Sequence, residues 1–303
     1  MKDLIALFKA AMPDGAVKSD VADSIGALNS EDECAELLVR LRWPDGFRCR
    51  RCGCGHAYRV AGRRLPLYEC VRCKFQTSPI AGTVMEGSRT PLVKWFCAVR
   101  CLAQDGGITA KALARRIGVT YKTAWTILHK LRRAICEDDR KRKLTGAVRI
   151  CDGEYRPLMG YTSSIWRDPR EFPVLIGFSE TSDGRPLAIK LKEVAKPSSD
   201  RSWTNKNDIW NFVEEHCEEN ARPVEISIGR FRAPKWKKAL PFFLEARRWL
   251  REKFGGIKRK HRQAYWDEYA FRLNAFFGGD CVFSRLLVLC AQSRRTTYRQ
   301  LVS

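Results

Sequence analysis

At 303 residues, 45% of them apolar, the chain is long enough for two or three domains and can bury a real core, which excludes global disorder. The formal net charge is +22, from 56 Lys and Arg against 34 Asp and Glu, and exceeds what solubility requires. Such an excess points to a polyanionic partner, most simply nucleic acid, and with no apolar stretch near the ~20 residues that span a bilayer, no membrane partner is expected.

The opening MKDLIALFKAAMPDG lacks the pattern of a secretory leader. Leu4, Ile5, Leu7 and Phe8 suggest a short amphipathic helix that either docks a partner or packs on its own domain, and residues 1–46 are assigned to an N-terminal helical segment. Thirteen cysteines without a leader fit a reducing, cytoplasmic compartment. Cys97, Cys101, Cys217 and Cys290 sit singly in apolar contexts and are expected as small buried hydrophobes.

One cysteine group is different. Cys49-x-x-Cys52 and Cys70-x-x-Cys73 are two knuckles separated by 17 residues, the spacing of a four-cysteine zinc site. Each knuckle presents two thiolates from one tight turn, and a hairpin brings the turns around a tetrahedral ion. A core this small needs the metal to fold, and with four protein ligands the Zn²⁺ is structural. Residues 47–80 are therefore assigned as a zinc ribbon. Cys54 and His56 are spare, because Gly53 and Gly55 around Cys54 suit a knuckle turn better than a fifth ligand. Residues 40–64 hold eight Arg and one acid, Asp45, which suits phosphate contact or a solvated loop.

A helix is predicted over about Leu92–Ala103, stopped by Asp105-Gly106-Gly107. A second runs over roughly 109–117, Gly118-Val119 make a turn, and Thr120 caps a third that continues to about Cys136. Leu113, Ile117, Val119, Ile127, Leu128 and Leu131 supply the shared apolar face. This is helix-turn-helix patterning within a domain over residues 88–137. Tyr121, Lys122, Thr123 and Thr126 would face a DNA groove, and Arg115, Arg116, Lys130, Arg132 and Arg133 would hold backbone phosphates. CEDDRKRKL, residues 136–144, reads as a charged linker.

From residue 144 to 303 the pattern changes. Strands are predicted near 146–151, 173–179 and 187–193, a helix at about 205–219, a strand at 223–228, then helices at about 235–253, 261–275 and 281–292. That order is RNase H-like, so the expected fold class is α+β multidomain: zinc ribbon, helix-turn-helix helical domain and RNase H-like α/β domain.

The segments RWPDGFRCRRCG (42–53), QTSPIAGTVMEGSRTPLVKWFCAV (76–99), ITAKALARRIGVTYKTAWTILHKLR (108–132), LTGAVRICDGEY (144–155) and KHRQAYWDEYAFRLN (260–274) resemble the small bacterial insertion-sequence transposases that carry an N-terminal zinc ribbon and a DDE catalytic domain. The resemblance covers nearly the whole chain. It implies DNA cutting and joining with two divalent ions held by three acids, one on the first strand, one after the fourth and one on a later helix. Paired cations stabilise the attacking and leaving oxygens, and Mg²⁺ takes hard oxygen ligands.

Carried over residue by residue, the family's metal positions fall on Cys151, Ile228 and Leu240. A one-residue slip on the first strand would supply Asp152 instead. Asp152 and Glu154 would share one face if the strand continued, but Gly153 between them makes a turn as compatible. Glu225, Asp267 and Glu268 complete no obvious trio, so Asp152 is read as a relic or a turn acid.

Positive charge remains. Residues 229–262 contain thirteen Lys or Arg and two acids. Arg230, Arg232, Lys235, Lys237, Lys238, Arg247 and Arg248 are the DNA-contact candidates there, while Trp236 and Trp249 fit a core better than a nucleic-acid stack. The expected protein is a degenerate, domesticated transposase that binds double-stranded DNA, nucleoid-associated, and acts as a transcriptional or chromosomal regulator. Paired half-sites would suit a homodimer, and recruitment would require a further protein partner. The alternative is an active DDE transposase using Mg²⁺ and Asp152.

Overall fold

A computed structural model describes residues 30–60, 62, 64–156, 172–194, 204–221, 224–228, 238–255 and 257–302. The expected helix at Leu4–Phe8, and Trp236, lie outside them. The chain divides into two compact units, with described residues 30–134 and 280–302 in one and 135–279 in the other.

The first unit opens with α1 (Glu31–Arg42), started by a reciprocal capping box between Ser30 and Glu33. Cys34, Ala35 and Leu38 recur at helical spacing and are buried. Three short strands follow, β1 (Ala57–Val60), β2 (Leu67–Cys70) and β3 (Gln76–Thr77), antiparallel in the order β1-β2-β3. The pairs Ala57↔Cys70 and Tyr68↔Thr77 set the register. Trp43, Phe47 and Tyr68 pack against one another beside the strands, with ring centroids 5.0–6.0 Å apart.

Helix α2 (Leu92–Ala103) ends where expected and buries Leu92, Trp95, Phe96, Val99 and Leu102. Helix α3 (Ala110–Ile117) is capped by the Thr109 hydroxyl, which accepts from the Ala112 N–H, and is closed by Gly118 at φ 59°. That left-handed conformation costs glycine nothing, so the turn needs it there. Thr120 accepts from the Thr123 N–H and starts α4 (Tyr121–Lys141). Residues 280–302, grouped with the strands on sequence grounds, pack in this unit instead: α8 (Val282–Gln292) and α9 (Tyr298–Val302) return to it, with the Val84 N–H bonded to the Cys290 carbonyl.

The sheet of the second unit has four strands, β4 (Ala147–Tyr155), β5 (Phe172–Glu180), β6 (Pro186–Glu193) and β7 (Val224–Ser227), in the order β6-β5-β4-β7. β4 runs antiparallel to β5 and parallel to β7, with Cys151 opposite Ser227. On one face Cys151, Tyr155, Ile176, Phe178 and Leu191 meet α6 (Leu240–Phe254) and α7 (Arg259–Phe277) through Phe242, Phe243, Trp266 and Tyr269. On the other, Val148, Ile150 and Leu175 meet Phe212 of α5 (Lys206–His216).

Two local expectations are corrected. Residues 137–141 are not a linker but the last turn of α4. Asp139 there is almost wholly buried and paired with Lys190 at 3.0 Å and Lys192 at 2.5 Å, which holds the acidic turn helical. Burial works against its ionisation, but Lys192 and Lys190 outweigh it and keep Asp139 below the usual carboxylate range. Gly153 makes no turn either, since β4 continues through Tyr155. It is glycine because a Cβ there would lie 2.4 Å from Cε1 of Phe243. Among the cysteines expected in cores, Cys101, Cys217 and Cys290 are buried, whereas Cys97 is only half-buried.

Candidate metal centre and nucleic-acid interface

The Sγ atoms of Cys49, Cys52, Cys70 and Cys73 all lie within 4.8 Å of one another. Cys49 approaches Cys73 at 3.6 Å and Cys52 approaches Cys70 at 3.5 Å. Zn–S bonds of ~2.3 Å in a tetrahedron separate sulfurs by about 3.8 Å, so the quartet fits Zn²⁺ in size and donor type.

The two knuckles are built alike. After the second cysteine of each, Gly53 (φ 72°) and Lys74 (φ 58°) take the left-handed conformation, and Lys74 is the only described non-glycine residue that does so. Gly53 N–H bonds to the Cys49 carbonyl and Lys74 N–H to the Cys70 carbonyl, closing the turns that aim the sulfurs inward. The N–H of Cys73, with that of Arg72, holds the Cys70 thiol down to about 6 against the opposing effect of burial. Cys54 and His56 stay outside the quartet, and the Cys54 Sγ lies 3.8 Å from the His56 carbonyl oxygen. Four filled positions leave no site for a reacting water, so the centre is structural.

Arg115 and Arg116 are exposed on α3, and Tyr121 and Lys122 are exposed at the start of α4. Arg133 is exposed further along. Thr123 and Thr126 are half-buried with hydroxyls engaged at home: Thr126 donates to the Lys122 carbonyl at 2.8 Å, and Thr123 shares a hydrogen bond with Thr120.

Two expected phosphate contacts are corrected. Lys130 is 8% exposed and donates to the carbonyls of Val84 and Glu86, and Arg132 is 1% exposed. Lys130 stands three residues from Ile127 and four from Ala134, and Arg132 four from Leu128, so the helix repeat carries both onto buried rows. Burial lowers the pKa of Lys130, and nearby Arg295 lowers it further.

In the sheet unit, Arg230, Arg232, Lys235 and Lys237 lie outside the described residues. Lys238 pairs with Glu180 at 2.6 Å and Arg248 with Glu245 at 2.8 Å. Arg247 is half-buried against the Glu154 carbonyl. The basic stretch is thus not one continuous exposed face: Arg262 is fully buried and ion-paired with Glu193. Trp249 packs on Phe254 and Tyr269, as expected of a core residue.

Cys151 is buried among apolar residues, and burial, with Asp152 adjacent, pushes its thiol well above the ordinary value. Leu240 is 41% exposed and Ile228 half-buried. Asp152 lies on the opposite face of β4 from Cys151, and its carboxylate accepts from the Thr204 hydroxyl at 3.2 Å. Asp267, on α7, is paired with Lys192 at 2.6 Å.

One group had escaped sequence reasoning. The Tyr298 ring lies 4.8 Å from the Lys122 ammonium and meets Trp125 edge-on at 6.1 Å. Arg294 and Arg299 flank it, both exposed. The only sequence signal was the basic run RRTTYR, some 170 residues from the helix it meets.

Residues 29–76 match the model of the transposase zinc-ribbon domain, a span that takes in α1, β1 and β2 and ends at the first residue of β3. The chain is 32% identical over 122 residues to an uncharacterized protein in transposable element ISH50 from Halobacterium salinarum. That match covers 40% of this chain and 40% of the relative. No solved structure matches the chain. No described helix is long and apolar enough to cross a membrane. The chain therefore carries a transposase zinc ribbon, with a four-cysteine centre suited to structural Zn²⁺, and is similar over two fifths of its length to a transposable-element protein.

Proposed function

We propose that the chain is a catalytically inactive, transposase-derived protein that binds double-stranded DNA and acts as a transcriptional or chromosomal regulator in the cytoplasm, at the nucleoid. The α3–Gly118–α4 arrangement supports a helix-turn-helix reading, with Arg115, Arg116, Tyr121 and Lys122 outward. The sheet order β6-β5-β4-β7, three antiparallel strands and a fourth parallel to the first, supports an RNase H-like reading.

The observation that carries inactivity is the identity of the side chains at the family's metal positions. A buried thiol at Cys151 and aliphatic groups at Ile228 and Leu240 offer no hard oxygen to Mg²⁺. In the parallel register set by Cys151↔Ser227, the next position beside Asp152 is Ile228, so a slip to Asp152 meets hydrocarbon rather than a second carboxylate. The second reading, an active transposase, draws on one observation: β4 runs on through Glu154, placing Asp152 and Glu154 on a common face.

A strand-transfer assay with Mg²⁺ or Mn²⁺ on candidate terminal repeats, beside salt-dependent duplex binding, separates the two. Duplex binding without cleavage or joining supports the regulator. Metal-dependent joining abolished by Asp152→Ala replaces it with the enzyme.

A further inference from the structure

A cleft of about 450 Å³ lies within the ribbon-and-helix unit, between the N-terminal half of α4 and the C-terminal segment. Among the described residues, Lys122, Lys130 and Arg295 bring three cations to its lining, against one carboxylate, Glu86. Glu86 is already committed, accepting from the Gly82 N–H at 2.5 Å and lying 3.2 Å from Arg295. Lys130 is committed to the Val84 and Glu86 carbonyls, so it adds positive charge to the lining rather than a contact.

The walls are pre-ordered. Thr297 and Gln300 form a reciprocal cap at the start of α9, and Tyr298 is held between Lys122 and Trp125. The rim is wet and basic: Tyr298 is 43% exposed, the Arg295 side chain 52%, and Arg294 and Arg299 are exposed beside them. A cleft of this size takes more than a bare ion, and it opens on the helix end that carries the exposed Tyr121 and Lys122.

Resting on the duplex-binding reading above, we propose that this cleft is a phosphodiester site, completed by the C-terminal segment, in which Lys122 and Arg295 hold a backbone phosphate of double-stranded DNA beside α4. The chemistry is phosphate recognition by convergent cations with hydroxyl neighbours. A duplex is favoured over a free anion because Arg294 and Arg299, exposed and next in sequence to the lining residues Arg295 and Tyr298, supply further cations for an extended backbone.

The test measures affinity of the full-length protein for a random-sequence duplex of ~30 base pairs across a salt series. Each lost phosphate contact should lower the slope of log K against log salt by about 0.9. Arg295→Gln should therefore reduce the slope by about one and weaken binding at moderate salt. Glu86→Gln, which removes the cleft's one negative charge, should tighten binding, a gain that misfolding would not produce. Wild-type slope and affinity in both variants would overturn the proposal.

Arg115→Gln on α3 separates the two levels of inference. If it weakens binding while Arg295→Gln does not, duplex binding stands and the cleft assignment falls. If the wild type holds no duplex, both fall. A calorimetric titration with inorganic phosphate alone gives the last arm: sub-millimolar binding lost in Arg295→Gln, with no change in the duplex slope, would assign the cleft to a free anion and overturn the duplex source.

Discussion

His216 closes α5 with its ring 4.9 Å from Phe212 and an Nδ1 that finds no partner among the described residues. Burial, then the neighbouring Lys192 and Lys190, pushes its pKa down to about 4 from 6.5, with Asp139 opposing and Arg140 adding to the shift. Glu215 lies 3.7 Å from Nε2 but is exposed. Because the folded pKa lies below the unfolded one, the unfolded chain binds the proton first. Stability is full above pH 6.5 and drains as pH falls from 6.5 through 4. At ~1.36 kcal/mol per tenfold change in proton affinity, the fall from 6.5 to about 4 amounts to roughly 3 kcal/mol, of which roughly 2 kcal/mol is already lost at pH 5. Urea unfolding at pH 7.5 and pH 5, followed by near-ultraviolet signals of the Trp249 and Trp266 core, measures it. Other groups titrate too, so the informative quantity is the pH sensitivity of the wild type minus that of His216→Gln. A difference near 2 kcal/mol is expected. A difference within error of zero would mean that His216 reaches water or a counter-charge in the folded state, refuting the burial argument.

Three more expectations rest on particular contacts. Zinc stoichiometry by native mass spectrometry should be one per chain and zero in Cys70→Ser, and chelation should dissolve the β1–β2 hairpin, because the strands bury little apart from the knuckles. Gly153→Ala should destabilise by about 1–3 kcal/mol in urea, since its methyl would collide with Phe243, and Phe243→Leu in the same chain should recover part of the loss. Lys192→Met should cost about 3–5 kcal/mol, because it leaves the buried Asp267 carboxylate without its ion-pair partner and Asp139 with Lys190 alone. A loss under ~1 kcal/mol in that variant would mean that water or Lys190 already serves both acids.

Features specified by local chemistry are legible in the order of residues alone. The CxxC spacing set the metal quartet, because a knuckle turn needs only the few residues between its cysteines. Thr109, Gly118 and Thr120 set the helix ends, because caps and a left-handed turn act over one helical turn. The alternation in residues 147–151 announced a strand. Tertiary structure decided the rest. The acidic turn at 137–141 stays helical only because Lys190 and Lys192, some fifty residues on, reach Asp139. Lys130 and Arg132 look like surface cations until neighbouring elements cover their rows. Gly153 resembles a turn signal until Phe243, ninety residues later, is laid across it. Tyr298 comes to Lys122 only when the C-terminal segment folds back onto the helices. Each of these depends on which distant side chain arrives opposite, and a charge or a glycine carries no local record of that.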